Sequence, residues 1–207
     1  MGMTCTLRRV NEADLRRLRD APEQVFTFLY GQPVPLETVR EPGLVGFIMR
    51  LLGIKVQQVS ATAAADKSAD RPLQQVQDSD EIEIDKAWHG LHFLFTGTAW
   101  EGDEPACFLL CGGEEIGNED VGPARVLRPD QVSQFATFLA GLSHEELARR
   151  YDPTRMTALE IYPEVIWSRP AAPGESAFDY LLEAFEDLRN FVTATSTRGD
   201  SLIVSII

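Results

Sequence analysis

Cysteine, histidine and long apolar runs are all scarce in this 207-residue chain, which contains three cysteines and three histidines. So few cysteines, in odd number and without regular spacing, do not make a disulfide framework, and we interpret Cys5, Cys107 and Cys111 as thiols in a reducing compartment. No uncharged run reaches the length of a membrane span, and no basic segment followed by an apolar one opens the chain. These absences predict a cytoplasmic protein that does not enter a membrane.

Positive charge is also in short supply. Lysine and arginine total 19 against 32 aspartates and glutamates, which gives a formal net charge of −13. Such a surface repels phosphate groups, and this argues against binding to nucleic acids and to anionic lipid headgroups. It favours a basic protein as partner, or it only keeps the protein soluble, and the charge alone does not decide between the two.

Apolar residues make up 44% of the chain and charged residues 25%, which is ordinary globular composition. The length suits one well-cored domain, so we expect a single domain over residues 1–207. A stretch rich in Ala, Asp, Ser and Gln predicts a flexible surface loop at about 61–80. The strongly apolar stretch at 43–54 predicts a buried helix.

Strand and helix signals alternate along the rest of the chain. Strands are predicted at 3–10, at 106–111 and at 201–207; within the second, Cys107 and Cys111 would lie about 13 Å apart on one face. Three helix starts are indicated by capping pairs, namely Asn11 with Asp14, Ser143 with Glu146, and Ser176 with Asp179. The sequence therefore predicts an α/β fold with a mixed central sheet layered with helices.

Several phrases, in the same order from end to end, resemble one family. They are "MGM", "IDKAWHGLHFLFTG", "FLLCGGEEIG", "GPARVL", "YDP", "IYP", "DYLLEAFEDLRNFV" and "GDSLIV". Together they are similar to the YfbM-like proteins, bacterial proteins classed as a domain of unknown function. The resemblance is weakest over 31–80. It implies a single α/β domain, and it implies no activity and no catalytic residue.

The stretch "IDKAWHGLHFLFTGT", 84–98, is the first candidate site. On a helix, Asp85, His89 and His92 fall within about 60° of one another, so a carboxylate and two imidazoles could meet one metal ion. Zinc or non-heme iron would suit that ligand set. The alternative is structural, because Trp88, Leu91, Leu94 and Phe95 form the adjacent apolar stripe. Imidazoles flanking a core face commonly pair with backbone carbonyls or acids.

The glycine-rich stretch "GGEEIGNEDVG", 112–122, is the second candidate site. Its candidate residues are Gly112, Gly113, Glu114, Glu115, Glu119 and Asp120. The absence of a cation argues against a phosphate cradle. The carboxylates could hold a divalent cation or supply an acid/base pair, as in sugar hydrolysis, or they could belong to a solvated loop.

Two functional hypotheses follow. The first is a non-enzymatic, acidic binding protein, of which one form is an immunity-like protein that neutralises a basic partner. The second is a metal-assisted small-molecule hydrolase that uses His89, His92, Glu114 and Glu115. Only the second requires a cofactor, a divalent metal. No nucleophile motif is recognisable, and this favours the first hypothesis, while the identity of any small-molecule ligand is left open.

Overall fold

A computed structural model of the protein describes residues 2–31, 80–117, 124–170, 172 and 175–207. The strands in these ranges are β1 (Cys5–Val10), β2 (Glu81–Glu83), β3 (Glu114–Ile116), β4 (Ala124–Leu127) and β5 (Ser201–Ile206). The helices are α1 (Glu12–Asp20), α2 (Gln24–Tyr30), α3 (Ala87–Thr96), α4 (Pro129–Ala140), α5 (His144–Arg150), α6 (Pro153–Ala158), α7 (Glu164–Trp167) and α8 (Ala177–Arg198). The helix predicted at 43–54 and the loop predicted at 61–80, Asp80 apart, lie outside the described residues.

The five strands form one sheet in the order β2–β1–β5–β4–β3. The first and last strands lie side by side at its centre, with Leu7 opposite Val204. The prediction of a single α/β domain with a helix-layered sheet is confirmed. However, every described pairing is antiparallel, whereas the sequence indicated a mixed sheet. An alternation of strands and helices in the sequence does not fix the direction in which the strands pair. Here the chain passes through five helices after β4 and comes back as β5, which is antiparallel to β4.

The two faces of the sheet carry separate apolar clusters, because successive side chains of a strand point to opposite faces. Leu7, Leu127 and Val204 belong to the larger cluster, which packs against α3, α4 and α8. Val126 and Ile203 belong to the smaller cluster, which packs against α1 and α2. The helix α3 therefore lies inside the larger cluster, and this placement decides how buried its histidines are.

The predicted capping residues begin their helices. The Asn11 side chain accepts a hydrogen bond from the Asp14 N–H at 2.9 Å, and Ser143 accepts one from the Glu146 N–H at 3.1 Å. At the start of α8, Ser176 and Asp179 bond each other's backbone N–H reciprocally. None of the helices within the described ranges is long and apolar enough to cross a membrane.

Candidate functional site

The helix α3 is enclosed by protein on nearly all sides. Every residue from 87 to 95 is buried, and the helix ends at Gly97, whose φ of +74° suits glycine. At Gly90 a Cβ atom would lie only 2.6 Å from Cη2 of Trp167 and 2.8 Å from Cδ2 of Leu181. Glycine is needed here because two side chains pack directly on the backbone of α3.

His89 uses both of its ring nitrogens in hydrogen bonds to the backbone. Its Nδ1 accepts from the Tyr162 N–H at 2.9 Å, and its Nε2 lies 2.7 Å from the Ala99 carbonyl oxygen. Because Nδ1 is an acceptor, the proton must be on Nε2, which donates to Ala99. Burial lowers the pKa of His89, and the bond to Ala99 opposes this shift. The ring is therefore a neutral bridge between two later segments of the chain, one at Ala99 and one at Tyr162.

Four rings stack across this bridge, and we call them the aromatic column: Tyr162, Trp88, His89 and Trp100. The Trp88 and His89 rings lie 4.8 Å apart and 7° from parallel, and Tyr162 and Trp100 follow at the two ends. Met3 lies at the Tyr162 end, where its N–H donates to the tyrosine hydroxyl and its carbonyl accepts from Trp88 Nε1. Three buried or half-buried rings thus support Trp100, which is 61% exposed.

His92 is fully buried, and neither of its ring nitrogens has a hydrogen-bond partner in the part of the chain that the structure describes. Burial, with smaller contributions from the neighbouring His89 and Arg125, lowers the pKa of His92 to about 4. The Glu101 backbone approaches the ring and opposes this shift without reaching hydrogen-bond geometry. His92 is therefore neutral at neutral pH, and its nitrogens are desolvated without compensation.

Asp85 does not share a helical face with the two histidines, because α3 begins only at Ala87. It is exposed, with a φ of +42°, and its carboxylate accepts a hydrogen bond from the Tyr180 hydroxyl at 3.1 Å. Burial, followed by the nearby Asp85 carboxylate, raises the pKa of Tyr180. Across the described ranges, no three His, Cys, Asp or Glu side chains form a group that could hold a metal ion.

The segment at 106–111 is a helical turn, and its prediction as a strand is wrong. The Cys111 N–H donates to the Cys107 carbonyl at 2.8 Å, so the two cysteines are one turn apart and not 13 Å apart along a strand. Both are free thiols, as is Cys5. A short apolar run fits a buried turn as well as a buried strand, and periodicity alone does not separate them.

Arg125 holds this turn in place. Its guanidinium donates to the carbonyl oxygens of Leu109 and Cys111 at 2.7 Å each, and to those of Phe108 and Gly112 at 3.3 and 3.0 Å. These carbonyls belong to the end of a helical turn, where no following turn supplies backbone N–H groups to bond them. The Arg125 side chain therefore serves as the hydrogen-bond partner of the backbone of this turn.

The glycine-rich stretch begins with two left-handed residues, Gly112 and Gly113, at φ +73° and +77°. A Cβ on Gly113 would lie 2.5 Å from the Val126 carbonyl oxygen, so glycine allows the close approach of β4. Glu114 and Glu115 are exposed neighbours on β3, and their side chains point to opposite faces of the sheet. Glu119 and Asp120 lie outside the described residues.

The described residues of the two predicted sites do not form one pocket around the histidines. Glu114 forms an ion pair with Arg19 of α1 at 2.6 Å, on the face opposite to α3. Glu115 lies opposite Arg125 in the β3–β4 register and is solvent-exposed. Both nitrogens of His89 are already engaged. Among the residues that the structure describes, no carboxylate is in hydrogen-bond contact with either of these two imidazoles.

Sequence reasoning missed Trp100 and Tyr162, the two ends of the aromatic column. The sequence gives little indication that these two rings belong together with His89, because Tyr162 lies 73 residues from His89 along the chain. Trp100 did carry one available signal, since it precedes the acidic, glycine-containing segment "EGDE" that is typical of an exposed loop.

A family model described as "Domain of unknown function (DUF1877)" matches residues 1–205 of the chain. The fold is similar to the crystal structure of YfbM from Escherichia coli, itself described as a protein of unknown function. The TM-score is 0.58 at 14% sequence identity, and 99% of each chain is covered. At this identity the likeness shows the fold alone. No curated protein matches the sequence. The predicted resemblance to YfbM-like proteins is confirmed.

Proposed function

Because this chain belongs to the DUF1877 family, whose function is unknown, we propose a function from its own geometry: a non-enzymatic protein that binds a basic protein partner. The binding surface is centred on Trp100. By covering the partner's basic surface the protein would neutralise it, as an immunity protein neutralises a toxin. The observation that carries this proposal is an exposed tryptophan that stacks on supporting rings and is followed directly by exposed carboxylates.

Acidic side chains follow Trp100 directly. Glu101, Asp103 and Glu104 are exposed, and none of them forms an ion pair within the described ranges. Carboxylates without an internal partner are available to lysines and arginines of another protein, and they accelerate and orient its approach. The tryptophan face adds a favourable site for a guanidinium or ammonium group.

Exposed apolar side chains also occur in the segment that bonds His89 through the Tyr162 N–H. The segment that contains Tyr162 exposes Leu159 and Val165, with the exposed acids Glu160 and Glu164 close to them in sequence. We define the Trp100 surface by the exposed residues that adjoin the tryptophan in the chain, namely Trp100, Glu101, Asp103 and Glu104. Apolar and aromatic groups at the centre with charge around them are typical of protein interfaces, in which tryptophan often dominates the binding energy.

The alternative hypothesis, a metal-assisted hydrolase, needs an imidazole and a carboxylate within reach of one substrate. His89 has no free nitrogen, and His92 is enclosed in the core. These observations favour binding over catalysis as the proposal to test first.

The test is affinity capture with the purified protein as bait in a lysate of its source organism, at low and high salt, read by mass spectrometry. The expected result is a basic protein captured in stoichiometric amount at low salt and lost at high salt. Its binding to the purified protein is then measured by calorimetry. Trp100→Ala should weaken that binding by roughly 30-fold or more, and Trp100→Phe by much less.

Two matched triple variants test the role of charge. One removes the acids that follow Trp100, by Glu101→Gln, Asp103→Asn and Glu104→Gln. The control removes three exposed acids of α5 and α8, by Glu145→Gln, Glu183→Gln and Asp187→Asn. Both change the net charge by the same amount, and only the first should abolish capture. Equal losses, or a captured protein that is indifferent to Trp100→Ala, would refute the proposal.

A further inference from the structure

A cavity of about 450 Å³ lies at the end of α3, away from the aromatic column. Residues 93–97, the last turn of α3 and the glycine that ends it, form one side. Arg149, Arg150, Asp152 and Arg155, from α5 and α6 and the turn between them, form the other. The volume is in the range of small-molecule sites, and its lining combines apolar rings with several charged groups.

Three arginines around one cavity are unexpected in a chain with a net charge of −13. The end of a helix contributes about half a negative charge, and Asp152 contributes one more, so the three guanidiniums leave the lining net positive. Asp152 is also partly engaged, because it accepts a hydrogen bond from the Arg155 N–H at 3.0 Å as the cap of α6.

Two of these arginines have structural contacts that fix their positions. Arg150 donates to the Leu94 and Phe95 carbonyls at 3.1 and 3.4 Å, and it also pairs with Glu146, which does not line the cavity. Arg155 donates to the Gly97 carbonyl at 2.8 Å, and its guanidinium carbon lies 5.6 Å from the centre of the Phe93 ring. These bonds supply the carbonyls at the end of α3 with partners, which is a sufficient structural role for both.

Arg149 is not explained in this way. Its side chain is exposed at the cavity, and it forms no ion pair and no hydrogen bond with any other described residue. Its planar group of N–H donors is therefore available, and that geometry matches the two oxygens of a carboxylate or phosphate. The fixed Arg155 presents a second positive group in the same lining.

We propose that this cavity is a binding site for a small organic oxyanion, a carboxylate or phosphate attached to an apolar ring. Arg149 binds the oxyanion, with Arg155 as the second cation. Thr96, Gly97 and the apolar stems of the Arg149 and Arg155 side chains contact the ring. This site shares no residue with the Trp100 surface, so it stands or falls independently of the proposed protein partner.

The test is a calorimetric titration of the full-length protein with phenyl phosphate, which combines both parts of the ligand. A dissociation constant of about 0.1–1 mM is expected for a ligand of this size, with weaker binding of inorganic phosphate because it lacks the ring. Arg149→Gln should weaken the binding of phenyl phosphate roughly tenfold. Folding should be unchanged, because Arg149 has no internal bond to lose.

The matched control is Arg169→Gln, which removes an exposed arginine outside the cavity lining. It should leave the dissociation constant unchanged. Equal weakening by both variants would mean that the anion responds only to the net charge of the surface, and this would overturn the proposal. So would the absence of saturable binding up to about 10 mM phenyl phosphate, because the three arginine side chains of the lining would then hold no ligand of the proposed class.

Discussion

His89 and His92 provide a direct comparison between a buried imidazole with two hydrogen bonds and one with none. Both are fully buried in α3, three residues apart. Leucine has a similar volume and no polar atoms, so replacing each in turn removes the nitrogens while largely keeping the packing. The two variants should therefore differ mainly by the hydrogen bonds of His89.

The expected loss at His89 follows from the groups left behind. His89→Leu leaves the Tyr162 N–H and the Ala99 carbonyl without their partner, at about 1–3 kcal/mol for each group that stays buried. Ala99 lies in a partly exposed loop, where water can replace the imidazole, so we expect a total of about 3 kcal/mol. For a chain of this length that lowers the Tm by about 6–12 °C.

His92→Leu breaks no hydrogen bond and relieves two nitrogens that lack a partner. Because burial of uncompensated polar groups is unfavourable, the free energy of unfolding should fall by less than about 1 kcal/mol, or rise. The measurement is urea unfolding at about pH 7.5, where both imidazoles are neutral, followed by circular dichroism and tryptophan fluorescence. If His92→Leu destabilised the protein as much as His89→Leu, our account of both side chains would be refuted.

Two further predictions concern pH and Arg125. The pKa of His92 is lowered to about 4 in the folded protein, against 6.5 in the unfolded chain, so its contribution to stability is complete above about pH 6.5 and is lost as the pH falls towards 4. The free energy of unfolding should fall by about 3 kcal/mol for this reason. Urea unfolding measured across this pH range should show this fall in the wild type and not in His92→Leu. The same dependence on pH in both proteins would contradict the prediction. Arg125→Met removes the donors to four carbonyls and should destabilise the protein by about 3 kcal/mol, with a smaller loss for Arg125→Lys. It should also speed the reaction of Cys111 with a thiol reagent, because the turn above Arg125 opens; unchanged stability and thiol reactivity would show that Arg125 does not hold the turn.

The parts of the fold that were predicted correctly rest on local chemistry. Asn11 with Asp14 and Ser176 with Asp179 are bonds over three residues, so their spacing in the sequence is enough to locate a helix start. The apolar opening and closing strands were likewise visible in residue type alone. The direction in which strands pair is not local, and here the sequence indicated a mixed sheet, whereas every pairing within the described ranges is antiparallel.

The errors occur where a partner lies far along the chain. The turn at 106–111 is held by Arg125, 14 residues beyond Cys111, and the apolar pattern contains no trace of that contact. The start of α3 is marked by the Lys86 N–H, which donates to the Tyr180 hydroxyl 94 residues away. That start excludes Asp85 from the helix and so separates it from the two histidines. The structural alternative, imidazoles bonded to the backbone, describes His89 and does not describe His92.

The bonds of His89 also bear on the proposed binding function. The ring lies 4.4 Å from Trp100, and its Nε2 bonds Ala99, the residue before it, so one buried side chain orients the exposed tryptophan. Immobilising a free side chain on binding costs about 0.5–1.5 kcal/mol, which corresponds to roughly two- to tenfold in affinity. A tryptophan already held against an imidazole avoids part of that loss. His89 is then a positioning residue that contacts no partner, and the contrast between a structural and a functional histidine does not apply to it.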